Sequence, residues 1–168
     1  MDLAKRFECF FSKRGEIVMR KDMPNMTLAK MRLASHPEAK AESLKKLSTH
    51  ECESLVARVA ENPNTPMEVL EELARHPCPY VRAALCENEN TPARILTMLA
   101  DDEHVDVRYS LAENHNTPQA VLTRLAHDEN PYVADRAQRT ILRVRSTVTV
   151  ETNDQNIFGQ RNRQRDVG

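Results

Sequence analysis

Apolar residues between Leu55 and Tyr132 return at a fixed interval of 26. Leu55 and Val59 are followed by Val69, Leu70, Leu73 and Ala74. One period on, the same places hold Val81, Leu85, Ile95, Leu96, Leu99 and Ala100, and the next period holds Val107, Leu111, Val121, Leu122, Leu125 and Ala126. The later group in each unit falls on one face of a helix. The earlier pair lies four residues apart in a segment with room for about two helical turns, which predicts a short α-helix or a 3₁₀-helix. The joint between the two groups carries Asn64-Thr65-Pro66, repeated as Asn90-Thr91-Pro92 and Asn116-Thr117-Pro118. Thr65 is placed to cap the second helix, Pro66 to occupy its first position, and Glu68 to complete a Thr-x-x-Glu capping box. Pro92 and Pro118 open the later helices without that glutamate.

One unit buries about four aliphatic side chains, roughly 6 to 12 kcal/mol in gross transfer terms. Ordering its backbone costs more, at about 1 to 2 kcal/mol per residue. Units must therefore stack and share apolar faces, and the expected fold is an all-α helical-repeat solenoid. Full copies span 55–80, 81–106 and 107–132. Residues 29–54 form a degenerate copy, in which Leu33, Leu44 and Leu47 match Val59, Leu70 and Leu73 while Glu38-Ala39-Lys40 replaces Asn-Thr-Pro. Residues 133–145 supply a half copy made polar by Asp135, Arg136, Gln138 and Arg139, the expected carboxyl-terminal cap.

Residues 1–28 depart from the repeat. Leu3, Phe7, Phe10 and Phe11 recur there at helical spacing beside Lys5, Arg6, Lys13 and Arg14. The simplest role is an amphipathic cap over the open end of the stack; attachment to a membrane surface or a partner's groove is the other reading. Residues 146–168 are polar, end in alternating Arg161, Arg163 and Arg165, and read as a disordered basic tail.

Composition narrows the picture. The chain has 168 residues, three glycines, no tryptophan and 4% aromatics, which disfavours sheet and glycine-loop architectures. Its net charge of −1 conceals a segregation: residues 1–46 carry +5, residues 47–135 carry −10, and residues 136–168 carry +4. The repeats are thus poorly suited to tracking phosphates. The four scattered cysteines and the lack of a long uncharged apolar run at the amino terminus point to a reducing, cytoplasmic setting without a membrane span.

The unit resembles the leucine-rich repeat variant family, whose pattern runs Val-Arg-x-x-x-Ala-x-Asn-x-x-Thr-Pro-x-x-x-Leu-x-x-Leu-Ala. Val81-Arg82, Asn88, Thr91-Pro92, Leu96 and Leu99-Ala100 match it, as do Val107-Arg108, Ala112, Asn114, Thr117-Pro118, Leu122 and Leu125-Ala126. The resemblance covers about 29–145 and implies alternating α- and 3₁₀-helices in a right-handed superhelix. Some members carry a cysteine-rich iron–sulfur segment; Cys9 stands alone here, so no cofactor is carried over.

Two asparagine ladders, Asn62, Asn88, Asn114 and Asn64, Asn90, Asn116, are read as turn structure. Candidate partner-binding residues are Arg58, Glu72, Met98, Tyr109 and Arg124, which differ between copies, together with Arg82 and Arg108. His50, Cys52, His76 and Cys78 form a His-x-Cys pair at two successive joints, a candidate zinc set. Its weakness is that neighbouring helices lie about 8–10 Å apart, whereas zinc ligands sit about 2.0–2.3 Å from the metal. No Ser/Cys–His–carboxylate pattern and no glycine-rich phosphate loop is recognisable. These features favour a non-enzymatic scaffold, without cofactor, that binds another protein along its repeats. The alternative is a nucleic-acid-associated helical repeat held by its basic termini. Neither the partner's identity nor the oligomeric state is encoded legibly.

Overall fold

A helix breaks wherever the register reaches Asn62, Asn88 or Asn114. All three asparagines are extended, at φ/ψ of −75/126, −85/116 and −75/119. The residues that follow are Pro63, Glu89 and His115, so proline does not set the break. The asparagine side chain does: its Oδ1 accepts the backbone N–H two residues on, of Asn64, Asn90 and Asn116 at 2.9, 2.9 and 2.8 Å, closing an Asx turn.

The structure is a computed structural model that describes residues 25–146. These residues are helical throughout: α1 Asn25–Ala34, α2 Ala41–Leu47, α3 Glu53–Glu61, α4 Met67–Leu73, α5 Pro79–Ala84, α6 Ala93–Leu99, α7 Val105–Glu113, α8 Gln119–Leu125 and α9, residues 131–146. No strand forms among them. The earlier segment of each unit is α-helical, and only after α5 does a 3₁₀ turn, Leu85–Glu87, close it. The amino-terminal segment before residue 25 and the tail after residue 146 lie outside the described residues.

Helices α1, α3, α5 and α7 pack in series. Helix α2 packs beside α1 and α3, and α6 and α8 beside α7. The core runs along this row: Leu55, Val59, Val81, Leu85, Val107, Leu111, Val133 and Ala137 are all 0% exposed. Val69, Leu70, Leu73, Ile95, Leu96, Leu99, Val121, Leu122 and Leu125 complete it as the inner faces of α4, α6 and α8.

The capping expectation is corrected. Helix α4 begins at Met67 with Pro66 as N-cap and no side-chain cap bond, and α6 and α8 start likewise after Pro92 and Pro118. The threonines face backwards instead. Thr65, Thr91 and Thr117 are buried and donate to the carbonyls of Val59, Leu85 and Leu111 in the preceding helix. The Val59 and Leu85 carbonyls thereby gain a second donor beside the N–H of Asn62 or Asn88, and the Thr65 N–H that a capping-box glutamate would take is already bonded to the Asn62 carbonyl at 3.0 Å.

Candidate functional site

Neighbouring units are joined through backbone carbonyls. Asn62 Nδ2 donates to the Ala34 and His36 carbonyls at 2.6 and 2.9 Å. Asn88 Nδ2 repeats this to Ala60 and Asn62 at 2.8 and 2.7 Å, and Asn114 reaches Cys86. Thr140 takes the next place and donates to Ala112 at 2.7 Å. The outer asparagines add bonds from Asn64 to Pro37 and from Asn90 to Pro63. The inner ladder, and the outer one at Asn64 and Asn90, are therefore occupied in holding turn to turn.

A second joint starts from an ion pair inside one unit, whose arginine also reaches a carbonyl of the unit before it. Arg82 forks onto Asp102, Nε to Oδ2 at 2.7 Å and Nη2 to Oδ1 at 2.8 Å, while Nη1 meets the His76 carbonyl at 2.7 Å. Arg108 repeats this one period on with Asp128 and the Asp102 carbonyl. Burial pushes both aspartates up, but the guanidinium and the backbone N–H of His104 or Asn130 outweigh it and hold each carboxyl below the usual range. The hydrogen-bonded carboxylates in turn raise Arg82 and Arg108.

These two arginines were candidates for partner contact, and the structure places them elsewhere. Each residue is 8% exposed, paired with an aspartate of its own unit and bonded to carbonyls of the preceding one. The sequence signal was available: Arg82 and Arg108 each have an aspartate 20 residues on, whereas Val56 has His76. Lys30 has His50 at the same offset, with Nζ 3.1 Å from Nε2.

The other candidates divide between two rows. Arg58 and Tyr109 are half-buried on α3 and α7, Arg58 bonded to Glu61 at 2.8 Å. Glu72, Met98 and Arg124 lie exposed at equivalent positions of α4, α6 and α8, with Arg124 paired to Asp101.

The candidate zinc residues are not gathered together. His50 Nδ1 accepts the Cys52 N–H and His76 Nδ1 accepts the Cys78 N–H, each at 3.1 Å. Each imidazole is folded onto its own loop, where it serves the cysteine that N-caps α3 or α5. Asp102 and Asp128 take over this task for His104 and Asn130. Among the described residues no three His, Cys, Asp or Glu side chains form a metal-holding group. Burial and a hydrogen bond to Glu53 push the Cys78 thiol up, and burial pushes Cys86 up further, both unfavourable to a reactive thiolate.

The two long faces handle charge differently. Along the even-numbered helices charges are paired between units: Lys45–Glu68, Glu71–Arg94 and Asp101–Arg124. The first two use the same pair of positions with the signs exchanged. Along the odd-numbered helices Glu61, Glu87 and Glu113 stand one period apart at the ends of α3, the 3₁₀ turn and α7. Arg58 and Arg136 pair with the outer two, and no ion pair to Glu87 forms among the described residues. Burial, then Glu61 and Glu113, push the Glu87 carboxyl up, with only His115 acting the other way. A groove of about 410 Å³ opens beside it, lined by Glu87, Glu89, Glu113, His115, Arg136 and Arg143.

Among the described residues no helix is long and apolar enough to cross a membrane. The chain matches no family model, no curated protein and no solved structure.

Proposed function

We propose that the chain is a right-handed solenoid of 26-residue units akin to leucine-rich repeat variants, and a non-enzymatic scaffold that binds a basic or mixed-charge protein segment. The units would span 29–145, with 1–28 and 146–168 as flanking segments. The observation that carries this reading is the unequal handling of charge. Three ion pairs quieten the even-numbered face, while on the other face Glu87 stands without an ion pair among the described residues, between Glu61 and Glu113, which Arg58 and Arg136 meet. A cationic partner lying along these glutamates would supply Glu87 with a counter-charge, and the groove by Glu87 would receive its side chains. Tyr109 and Ser110, half-buried on α7, would lie beside it.

The test is affinity capture by the intact chain from its native cells, with and without nuclease. It is run in parallel with a Glu61→Gln/Glu87→Gln/Glu113→Gln variant and a Glu72→Ala/Met98→Ala/Arg124→Ala variant. A nuclease-resistant protein retained by the second variant and lost by the first is the expected result. Capture that vanishes with nuclease would favour the nucleic-acid alternative, and capture indifferent to the glutamates would remove this face from the argument.

A further inference from the structure

The groove beside Glu87 is not uniformly acidic. Three successive levels of the fold line it: the 3₁₀ turn and the loop after it bring Glu87 and Glu89, the end of α7 and its loop bring Glu113 and His115, and α9 brings Arg136 and Arg143. Glu113 and Arg136 pair with each other. Glu87, Glu89 and Arg143 are exposed and make no ion pair among the described residues, although both signs border one space of about 410 Å³. Arg136 also holds a buried Nε without a hydrogen-bond partner. Spare acceptors thus stand at the first level of the groove and spare donors at the last.

Arg143 lies on the unbroken part of α9. It holds the register position of Thr91 and Thr117, which are buried turn residues in the preceding copies, but here the helix runs on to residue 146. The glutamate row changes sign at the same level: Glu61, Glu87 and Glu113 are followed one period on by Arg139, and α9 carries four arginines against the single Asp135. A cationic segment following the glutamates toward α9 would meet like charge there. An occupant that suits both levels carries a cation for Glu87 and Glu89 and, directly beyond it, an anion for Arg143. A chain that ends in a basic residue has both in its last residue, and nothing further has to pass Arg139. A space of about 410 Å³ lies at the small end of the range of about 300–1,000 Å³ that ligand sites occupy, which suits a chain end better than a long segment.

On the scaffold reading above, and resting on it, we propose that the partner enters this groove by a carboxyl terminus ending in lysine or arginine, with its last side chain on Glu87 and Glu89 and its terminal carboxylate on Arg143. The partner then runs with its carboxyl end toward α9. An internal basic segment would supply the cation alone, and an acidic residue placed after it would lead the chain on over the arginines.

Nuclear magnetic resonance titration of the isotope-labelled full-length chain tests this with three amino-acetylated tetrapeptides. One ends in two lysines with a free carboxylate, one is the same peptide as its carboxamide, and one ends in two norleucines with a free carboxylate. The amides of residues 87–90, 113–116 and α9 report on the groove. The lysine carboxylate should bind about threefold tighter than either of the others, the size of one exposed ion pair. Arg143→Gln should bring the two lysine peptides within about 1.5-fold of each other, whereas Glu87→Gln/Glu89→Gln should weaken both alike. Unchanged circular dichroism shows that these surface substitutions leave the fold intact. A carboxamide that binds as well as the carboxylate, with both weakened by the glutamate substitutions, would overturn the terminal contact and leave the scaffold reading standing. A carboxylate preference that survives Arg143→Gln would overturn it too. No shift at the groove with any peptide would remove the groove from both readings. Binding that appears only in an Arg161→Gln/Arg163→Gln/Arg165→Gln variant would give the groove to the chain's own tail instead of a partner.

Discussion

Removing the Asp102 carboxylate should destabilise the protein far more than removing its arginine partner along with it. Arg82 would be left 8% exposed, holding two carbonyls and with only the exposed Glu103 carboxylate, 3.9 Å away, in place of its buried partner. An uncompensated buried charge of this kind costs about 3–5 kcal/mol, a large share of a typical total stability of about 5–15 kcal/mol. With a urea slope near 2 kcal/mol per molar, the midpoint of Asp102→Ala should fall by about 1.5–2.5 M. The chain itself supplies the compensating pair. One unit earlier the equivalent positions hold Val56 and His76, so Arg82→Val combined with Asp102→His should return to within about 1 kcal/mol of the parent. Urea titration followed by far-ultraviolet circular dichroism at neutral pH reads all three. A single substitution costing under about 1 kcal/mol, or a double variant as damaged as the single, would show that the buried pair does not hold this part of the fold together.

Acid should erode the same joint. Asp102 and Asp128 have folded pKa values below the usual carboxylate value, so their contribution is complete above about pH 3.9 and is lost as pH falls through the lower folded values. Circular dichroism across that range should show a shallower acid loss when Arg82 and Asp102 are both valine. Asn88→Ala frees the buried carbonyls of Ala60 and Asn62 and the Asn90 N–H, and should cost about 2–4 kcal/mol by urea titration. Glu87→Gln should act in the opposite sense. The raised folded pKa of Glu87 means that ionisation opposes folding at neutral pH; the gain should stay within about 0.5 kcal/mol at this exposed site. That gain should shrink with added salt and disappear below about pH 4.3, where the carboxyl is protonated in both states.

The helices and their inner faces were legible because a 26-residue period samples each core position several times. Leu55, Val81 and Val107 report one environment, and their common burial follows from their common type. The caps were less legible, since Thr65 before Pro66 is equally consistent with a forward cap and a backward bond to Val59. The choice is made by three-dimensional proximity: the Thr65 hydroxyl lies against the Val59 carbonyl six residues back, a contact that no local motif announces. Arg82 and Arg108 read from sequence as partner contacts because their partners lie 20 residues away, outside any local motif. The charge pattern at that offset would have exposed them. The ends were hardest to read, because a terminal unit loses the constraints that make its sequence repetitive.

Thr140 shows what those constraints are. It keeps the bridge to the preceding unit through Ala112, but it lies inside α9, and a threonine hydroxyl closes only weakly the kind of turn that Asn88 and Asn114 close with Oδ1. The Asn-Thr-Pro positions beyond it hold Leu142, Arg143 and Val144, so nothing breaks the helix and α9 runs on to residue 146. A continuing helix uses internally the carbonyls that a next unit's asparagine would need. The asparagine thus does two things at once, bridging backward and breaking forward, and at Thr140, where the bridge alone is kept, the helix runs on. Because the bridge uses carbonyls, which every residue possesses, neighbouring surface positions are free to differ. On the scaffold reading, the constant glutamate row supplies general attraction for a cationic segment, while Arg58, Ala83, Tyr109 and Ser110, which vary and reach the surface, supply the choice between partners.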